Sequence, residues 1–153
     1  MSVELNQPFP DFNLPDANGV QVDKASLLGK PTILYFYPKD DTSGCTLEAK
    51  DFSLLIAEDP SVNVIGISPD SITSHAKFIK KYELSVRLLA DEQHEFAERL
   101  GIWVEKSMYG KKYMGIERTT YLLDSKGVLV KVWNKVKVPG HAEEVLALAK
   151  TVG

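Results

Sequence analysis

Hydrophobic and polar positions along the chain form two alternating patterns, short apolar runs and longer amphipathic stretches. The run from Thr32 to Tyr37 is nearly all apolar and β-favouring, which predicts a strand buried on both faces and ended by Pro38. A second apolar run, from Val62 to Ile67, predicts another buried strand. Shorter strands are predicted over 86–89, 119–123 and 128–133, and the last two flank a turn at 124–127.

Helical spacing fills the stretches between these strands. Helices are predicted from near Gly44, after Asp70 as the expected N-cap, near 92–100, and after Pro139-Gly140. The positions expected to face the core from these helices are Ala49, Phe52, Leu55, Ile56, Ile72, Ala76, Ile79, Phe96, Leu100, Val145, Leu148 and Ala149. The lysines at 77, 80 and 81 are expected to face solvent.

The order of these elements predicts the fold class. Prolines break residues 1–30 into short extended pieces, and the pair Asn18-Gly19 signals a hairpin turn there. Strands that alternate with helices favour an α/β sheet with right-handed crossovers, to which the late pair of strands adds an antiparallel piece. We therefore predict an α/β fold, a thioredoxin-like α/β/α sandwich with a mixed central sheet and an N-terminal β-hairpin. No linker or repeat divides the chain, so residues 1–153 are interpreted as a single domain.

Composition and charge narrow the function classes. The chain has 44% hydrophobic and 25% charged residues, a balance typical of a folded globular protein. Its 18 basic and 21 acidic residues leave a formal charge of −3, which disfavours binding to nucleic acid or to an anionic membrane. No apolar run approaches the ~18 residues of a spanning helix, and no signal-peptide pattern follows Met1. A single cysteine excludes a disulfide framework and favours a reducing, cytoplasmic compartment.

That cysteine, Cys45, carries the most reactive chemistry in the sequence. The segment from Pro38 to Cys45 lies between a predicted buried strand and a predicted helix, where ligands usually bind in an open α/β sheet. The first turn of a helix offers unpaired backbone N–H groups and the positive end of the helix dipole, and both favour a thiolate. A free cysteine is also commonly a buried structural residue, so position alone leaves both interpretations open.

The residues around Cys45 resemble a known family. The pattern Pro38-x-x-x-Thr42-x-x-Cys45 resembles the active-site signature of the peroxiredoxins, and residues 35–51 are similar to their bacterioferritin comigratory (Q-type) branch: YFYPKDDTSGCTLEAKD. Residues 9–14 resemble the opening hairpin of the family, and residues 105–115 resemble a loop typical of that branch. Residues 117–124 are similar to the strand that brings in the family's active-site arginine.

The resemblance implies a role for each residue of the motif. Cys45 would be the peroxidatic nucleophile, which attacks one peroxide oxygen and becomes a sulfenic acid while water or an alcohol leaves. Thr42 would hold the peroxide in line, and the N–H groups of Gly44 and Cys45 would donate to its oxygens. Arg118 would stabilise the thiolate and orient the peroxide, and Pro38 would shield the sulfur from water. The simpler interpretations are a helix cap for Thr42, a surface charge for Arg118 and a strand terminator for Pro38.

The chain departs from the commonest form of the family in its second cysteine. Many relatives carry a resolving cysteine where this chain has Lys50, and others carry it on the following helix, where the residues around Ile79 supply none. The resemblance therefore implies a one-cysteine variant whose cycle is closed by an external thiol such as thioredoxin, glutaredoxin or glutathione. No cofactor is implied, and a monomer or weak dimer is expected. A milder departure is Ser43, where relatives often have proline.

The leading hypothesis is thus a thiol peroxidase of antioxidant defence that reduces hydrogen peroxide and organic hydroperoxides. The alternative is a peroxide-sensing redox switch or binding module on the same fold, since both need the same activated thiolate. A dithiol–disulfide oxidoreductase is excluded, because Cys45 is followed by Thr46-Leu47-Glu48 and not by a Cys-x-x-Cys motif.

Other clusters offer weaker chemistry. The chain's 3 histidines, at 75, 94 and 141, lack the spacing of metal ligands, so no metal site is expected. Lysines and tyrosines interleave over 105–115 in a pattern that single-stranded nucleic acid can bind, but the acidic net charge favours a solvated loop. The residues of that pattern are Lys106, Tyr109, Lys111, Lys112 and Tyr113.

Overall fold

A mixed sheet forms the centre of the molecule, which a computed structural model describes over residues 3–152. The strands are β1 (Asn13–Pro15), β2 (Gln21–Asp23), β3 (Thr32–Phe36), β4 (Asn63–Ser68), β5 (Arg87–Ala90), β6 (Trp103–Met108), β7 (Lys111–Ile116), β8 (Thr119–Leu123) and β9 (Leu129–Trp133). The α-helices are α1 (Ser43–Glu58), α2 (Ile72–Tyr82), α3 (Glu95–Leu100) and α4 (His141–Ala149). The central sheet has the order β5-β4-β3-β8-β9, and β1-β2 and β6-β7 are separate two-stranded sheets.

Strand β3 occupies the middle of the central sheet, between β4 and β8. All of its residues are buried, as the unbroken apolar run predicts. It pairs in parallel with β4, where Leu34 lies opposite Ile65, and antiparallel with β8, where Leu34 lies opposite Tyr121. The predicted α/β fold with a mixed central sheet and an N-terminal hairpin is therefore confirmed.

The two faces of the sheet carry separate hydrophobic clusters, because side chains alternate along each strand. On one face, Leu34 and Phe36 pack with residues of α3 and of the N-terminal segment, including Phe96 and Phe9. On the other face, the cluster combines β3 with α1, α2 and α4, and its largest members are Tyr35, Tyr37, Phe52 and Phe78. Cys45 belongs to this second cluster.

Helix α2 differs from its prediction in both cap and inward face. The N-cap is Ser71, whose hydroxyl accepts from the N–H of Ser74, whereas the carboxylate of Asp70 accepts from Ser68 and from the backbone of the β3–α1 loop. Ala76 is exposed, and His75 and Phe78 are the buried positions instead. Ile79 packs against the second cluster as predicted, whereas His75 is polar and is therefore not found by apolar periodicity alone.

Two later elements also differ from expectation. Helix α3 begins at Glu95 and not near 92, because His94 takes a left-handed backbone conformation with φ 48°. The predicted solvated loop at 105–115 is a regular hairpin of β6 and β7, in which Met108 pairs with Lys111 across the turn. Most of its side chains are exposed, which agrees with the polar character of the segment.

The close packing of β4 against its neighbours makes Gly66 sensitive to substitution. A Cβ at Gly66 would lie 2.6 Å from the ring of Tyr35 and 2.8 Å from Leu88 Cδ2, both fully buried. We expect Gly66→Ala to lower the free energy of unfolding by about 1–3 kcal/mol, the usual cost of overpacking, in chemical denaturation.

The matched control is Gly115→Ala in β7, where the new Cβ would meet the flexible side chain of Lys106 at 3.4 Å and Tyr113 Cε2 at 3.5 Å, both ordinary contact distances. This variant should unfold within ~0.5 kcal/mol of the parent. Equal stability of the two variants would contradict the packing described for Gly66.

Candidate active site

Cys45 lies in the first turn of α1, just beyond the carboxyl end of the central strand. It is 1% exposed. The helical hydrogen bonds begin where the N–H of Thr46 donates to the carbonyl of Thr42 at 2.8 Å. Within residues 3–152, the N–H groups of Gly44 and Cys45 have no acceptor. The sulfur is thus carried by a residue at the positive end of a 16-residue helix, beside free donors.

Arg118 connects Cys45 to a second acidic group. It directly precedes β8, whose first residue, Thr119, pairs with Phe36 at the end of β3. This register brings the guanidinium to the start of α1, where Nη2 donates to Cys45 Sγ at 3.1 Å. Nη1 donates to Glu48 Oε1 at 2.5 Å. One arginine therefore binds both the sulfur and a carboxylate.

Glu48 is a site residue that the sequence analysis did not single out. It is 1% exposed, and its Oε2 has no hydrogen-bond partner among the described residues. Burial raises the pKa of Glu48 to about 7, and Arg118 lowers it by less than burial raises it. Its spacing from Cys45 is the signal that could have found it, because residues i and i+3 share a face of a helix.

Thr42 and Gly44 shape the entrance to the helix. Thr42 occupies the N-cap position, but its side chain caps no N–H and instead donates to the carbonyl of Lys39 at 2.9 Å. Thr42 is therefore a helix cap by position but not through its hydroxyl, whose oxygen keeps its capacity to accept a hydrogen bond. At Gly44, a Cβ would lie 3.4 Å from Arg118 Nη2, so the guanidinium lies close against this turn.

Two further residues, Pro38 and Lys106, bear on the surroundings of the cysteine. Pro38 lies two residues beyond the end of β3 and is half-buried, and its shielding of the sulfur stays a prediction. Lys106 lies on β6, and burial, followed by the charge of Arg118, lowers its pKa, while the sulfur of Cys45 acts in the opposite direction. Lys106 thus belongs to the electrostatic surroundings of the cysteine and is more than a solvated loop residue.

The histidines serve separate structural contacts. His75 binds Asp40 and the carbonyl of Leu89, His141 lies 2.9 Å from the hydroxyl of Thr120, and His94 stacks on Trp103. Across residues 3–152, no group of three or more His, Cys, Asp and Glu residues is arranged to hold a metal ion. No helix in the same range is long and apolar enough to cross a membrane.

Comparison with known proteins identifies the family. The AhpC/TSA family model matches residues 5–132. A putative peroxiredoxin bcp of Coxiella burnetii is 48% identical and covers 95% of this chain and 98% of its own. Peroxiredoxin Bcp of Bacillus subtilis is 46% identical, with coverages of 98% and 97%.

Solved structures extend the likeness to three dimensions. The bacterioferritin comigratory protein of Xanthomonas campestris, whose structures were described for its alkyl peroxide reduction activity, superposes with a TM-score of 0.84. It is 39% identical, and the match covers 92% of this chain and 90% of that protein. The sequence motif, the fold and these relatives lead to one conclusion: the chain belongs to the AhpC/TSA family, as a thiol peroxidase of the bacterioferritin comigratory branch of the peroxiredoxins.

Proposed function

We propose that Cys45 is the peroxidatic nucleophile of this thiol peroxidase. The observation that carries the proposal is the 3.1 Å contact from Arg118 Nη2 to Cys45 Sγ at a helix N-terminus. The positive charge of Arg118 and the positive end of the helix dipole therefore both act on the sulfur of Cys45, which favours the nucleophilic thiolate over the thiol. The thiolate attacks one peroxide oxygen, and the oxygen–oxygen bond breaks. The sulfur becomes a sulfenic acid, and the departing oxygen takes up a proton to leave as water or an alcohol.

The groups around the sulfur have distinct tasks in this step. Thr42 accepts a hydrogen bond from the peroxide and holds it in line with the sulfur, because its own hydrogen is used by the Lys39 carbonyl. The free N–H groups of Gly44 and Cys45 donate to the oxygens, which carry negative charge as their bond breaks. Arg118 adds a planar charged donor at the same place, and Pro38 limits the access of water.

The substrates are hydrogen peroxide and organic hydroperoxides. The alkyl peroxide reduction activity described for the Xanthomonas campestris relative supports the second class. An external thiol of the thioredoxin, glutaredoxin or glutathione type reduces the sulfenic acid, because the chain contains no second cysteine. We further propose that residues 1–153 act as one domain, as a cytoplasmic monomer or weak dimer.

Substitution of Arg118 or Thr42 tests the assigned roles. Arg118→Met and Thr42→Val should each slow the second-order reaction of Cys45 with hydrogen peroxide by about 10²–10³-fold, the usual loss for one transition-state donor or positioning group. Stopped-flow measurement of a single turnover gives this rate constant.

Each variant has a matched control. Arg87→Met removes a half-exposed arginine from the start of β5, at the opposite end of the parallel strands, and should react like the parent. Thr42→Ser keeps the hydroxyl and should retain most of the rate. An Arg118→Met or Thr42→Val protein that is folded and reacts at the parent rate would show that the role of that residue is assigned wrongly.

The buried carboxyl of Glu48 predicts a pH dependence of stability. Between its ordinary pKa of 4.5 and its folded pKa of about 7, the folded protein holds a proton that the unfolded chain releases. Raising the pH through this window therefore destabilises the parent relative to Glu48→Gln, by on the order of 3 kcal/mol. Chemical denaturation of both proteins between pH 4.5 and 7 measures the difference. A difference that stays constant with pH would contradict the buried, proton-binding Glu48.

The cysteine count predicts the stoichiometry. Without a reductant, each chain should reduce one peroxide rapidly and then lose activity, as excess peroxide oxidises Cys45 beyond the sulfenic acid. Intact-mass spectrometry should show the addition of one oxygen, followed by two or three. Several rapid turnovers per chain without an added thiol would contradict a one-cysteine mechanism.

A further inference from the structure

A buried polar network connects the loop before Cys45 to helix α2. The Asp40 side chain in this loop is 4% exposed, and the His75 side chain of α2 is 0% exposed. The Asp40 carboxylate accepts hydrogen bonds from the hydroxyls of Tyr37 at 2.6 Å and Ser74 at 2.7 Å, and lies 2.8 Å from His75 Nδ1. Burial of polar side chains costs free energy of folding unless their polar atoms are paired. The proposed chemistry at the sulfur uses none of these side chains, so their burial calls for another explanation.

The atoms that carry hydrogens in this network follow from the acceptors that each ring nitrogen of His75 faces. His75 Nε2 lies 2.9 Å from the carbonyl oxygen of Leu89, which only accepts, so Nε2 carries a hydrogen. A hydrogen must also lie between Nδ1 and the Asp40 oxygen, because two bare acceptors at 2.8 Å would repel each other. Both ring nitrogens are thus engaged, and His75 joins strand β5 to the loop through the Asp40 carboxylate.

Two further contacts hold this loop, one through the backbone of Asp40 and one through the side chain of Asp41. The N–H of Asp40 donates to Asp70 Oδ2 at 2.8 Å. The next residue, Asp41, takes a left-handed conformation with φ 59°, and its carboxylate accepts from Lys81 at 2.7 Å and from the hydroxyl of Tyr82. Two consecutive loop residues are therefore tied to α2 by their side chains.

We propose that Asp40 and His75 are positioning residues for peroxide reduction, because their buried pair fixes the loop that carries Thr42 and leads into Cys45. The proposal rests on the roles assigned above to those two residues. Asp40 lies two positions before Thr42 and five before Cys45, so a shift of Asp40 displaces the group that holds the peroxide. A misplacement of about 1 Å in such a group lowers a rate by on the order of 10²-fold.

The experiment compares two reactions of Cys45 in the full-length protein. The first is reduction of hydrogen peroxide, which needs the aligned loop, and the second is alkylation by iodoacetamide, which needs the thiolate but not Thr42. Asp40→Ala should slow the peroxide reaction by about 10–100-fold while alkylation is unchanged or faster. Asp40→Asn should stay within about fivefold of the parent for peroxide, because an amide can accept from Tyr37 and donate to a neutral His75.

A milder substitution in the same network, with its own control, tests the proposal if Asp40→Ala is too disruptive. If Asp40→Ala does not fold, Tyr37→Phe removes one hydroxyl from the network and should slow the peroxide reaction by about 2–10-fold. Its matched control is Tyr35→Phe, since the Tyr35 hydroxyl is also buried but has no partner within residues 3–152. Tyr35→Phe should leave both reactions unchanged.

Three results would overturn the proposal. They are unchanged peroxide rates in folded Asp40→Ala or Tyr37→Phe, a parallel fall of both reactions, and an Asp40→Asn protein as slow as Asp40→Ala. A parent protein that is alkylated but reacts slowly with peroxide would instead contradict the proposed function itself.

Discussion

The guanidinium of Arg118 donates hydrogen bonds to two acidic groups, Cys45 and Glu48, which lie a single helical turn apart. Cys45 and Glu48 are both 1% exposed, and Arg118 donates to each of them through a different nitrogen. Buried charges are tolerated only when they are paired, so this three-residue cluster cannot lose its cation without leaving unpaired acids in the core. Burial also raises the pKa of Glu48, because its effect outweighs the attraction of the shared arginine. When this carboxyl is protonated, Cys45 is the other acidic group to which Arg118 donates a hydrogen bond.

The cluster depends in turn on the register of the sheet. Arg118 is distant in sequence from Cys45, and the antiparallel pairing of β8 with β3 brings its backbone to the point where β3 ends. The helix supplies the other two members of the cluster from one face of its first turns. The three groups meet because a strand end, a helix start and a neighbouring strand start occupy the same edge, which is where α/β sheets usually bind ligands.

Much of this arrangement could be predicted from the sequence, because it follows from local patterns. The apolar run of β3 and the position of Cys45 at a helix start are visible in consecutive residues, and the structure has both. The buried polar groups were harder to predict, since burial of a histidine or a carboxylate depends on partners from other elements. The sequence offered no sign that His75 is fully buried, because its partner Asp40 comes from a loop 35 residues earlier. The same cause accounts for Asp70, whose carboxylate binds loop groups and does not cap α2.

The hairpin of β6 and β7 has a consequence for the behaviour of the molecule at high concentration. These strands pair only with each other in the part of the chain that the structure describes, so both outer edges carry unpaired backbone groups. Such edges can template the pairing of a second chain, and lysines are among the residues that prevent it. Lys111 and Lys112 are both exposed on β7, and Lys112 also lies 3.6 Å from the Glu105 carboxylate of β6, so charged side chains lie along the ribbon. These charges oppose the pairing of two copies along a ribbon that exposes the apolar side chains of Met108 and Tyr109 at its tip.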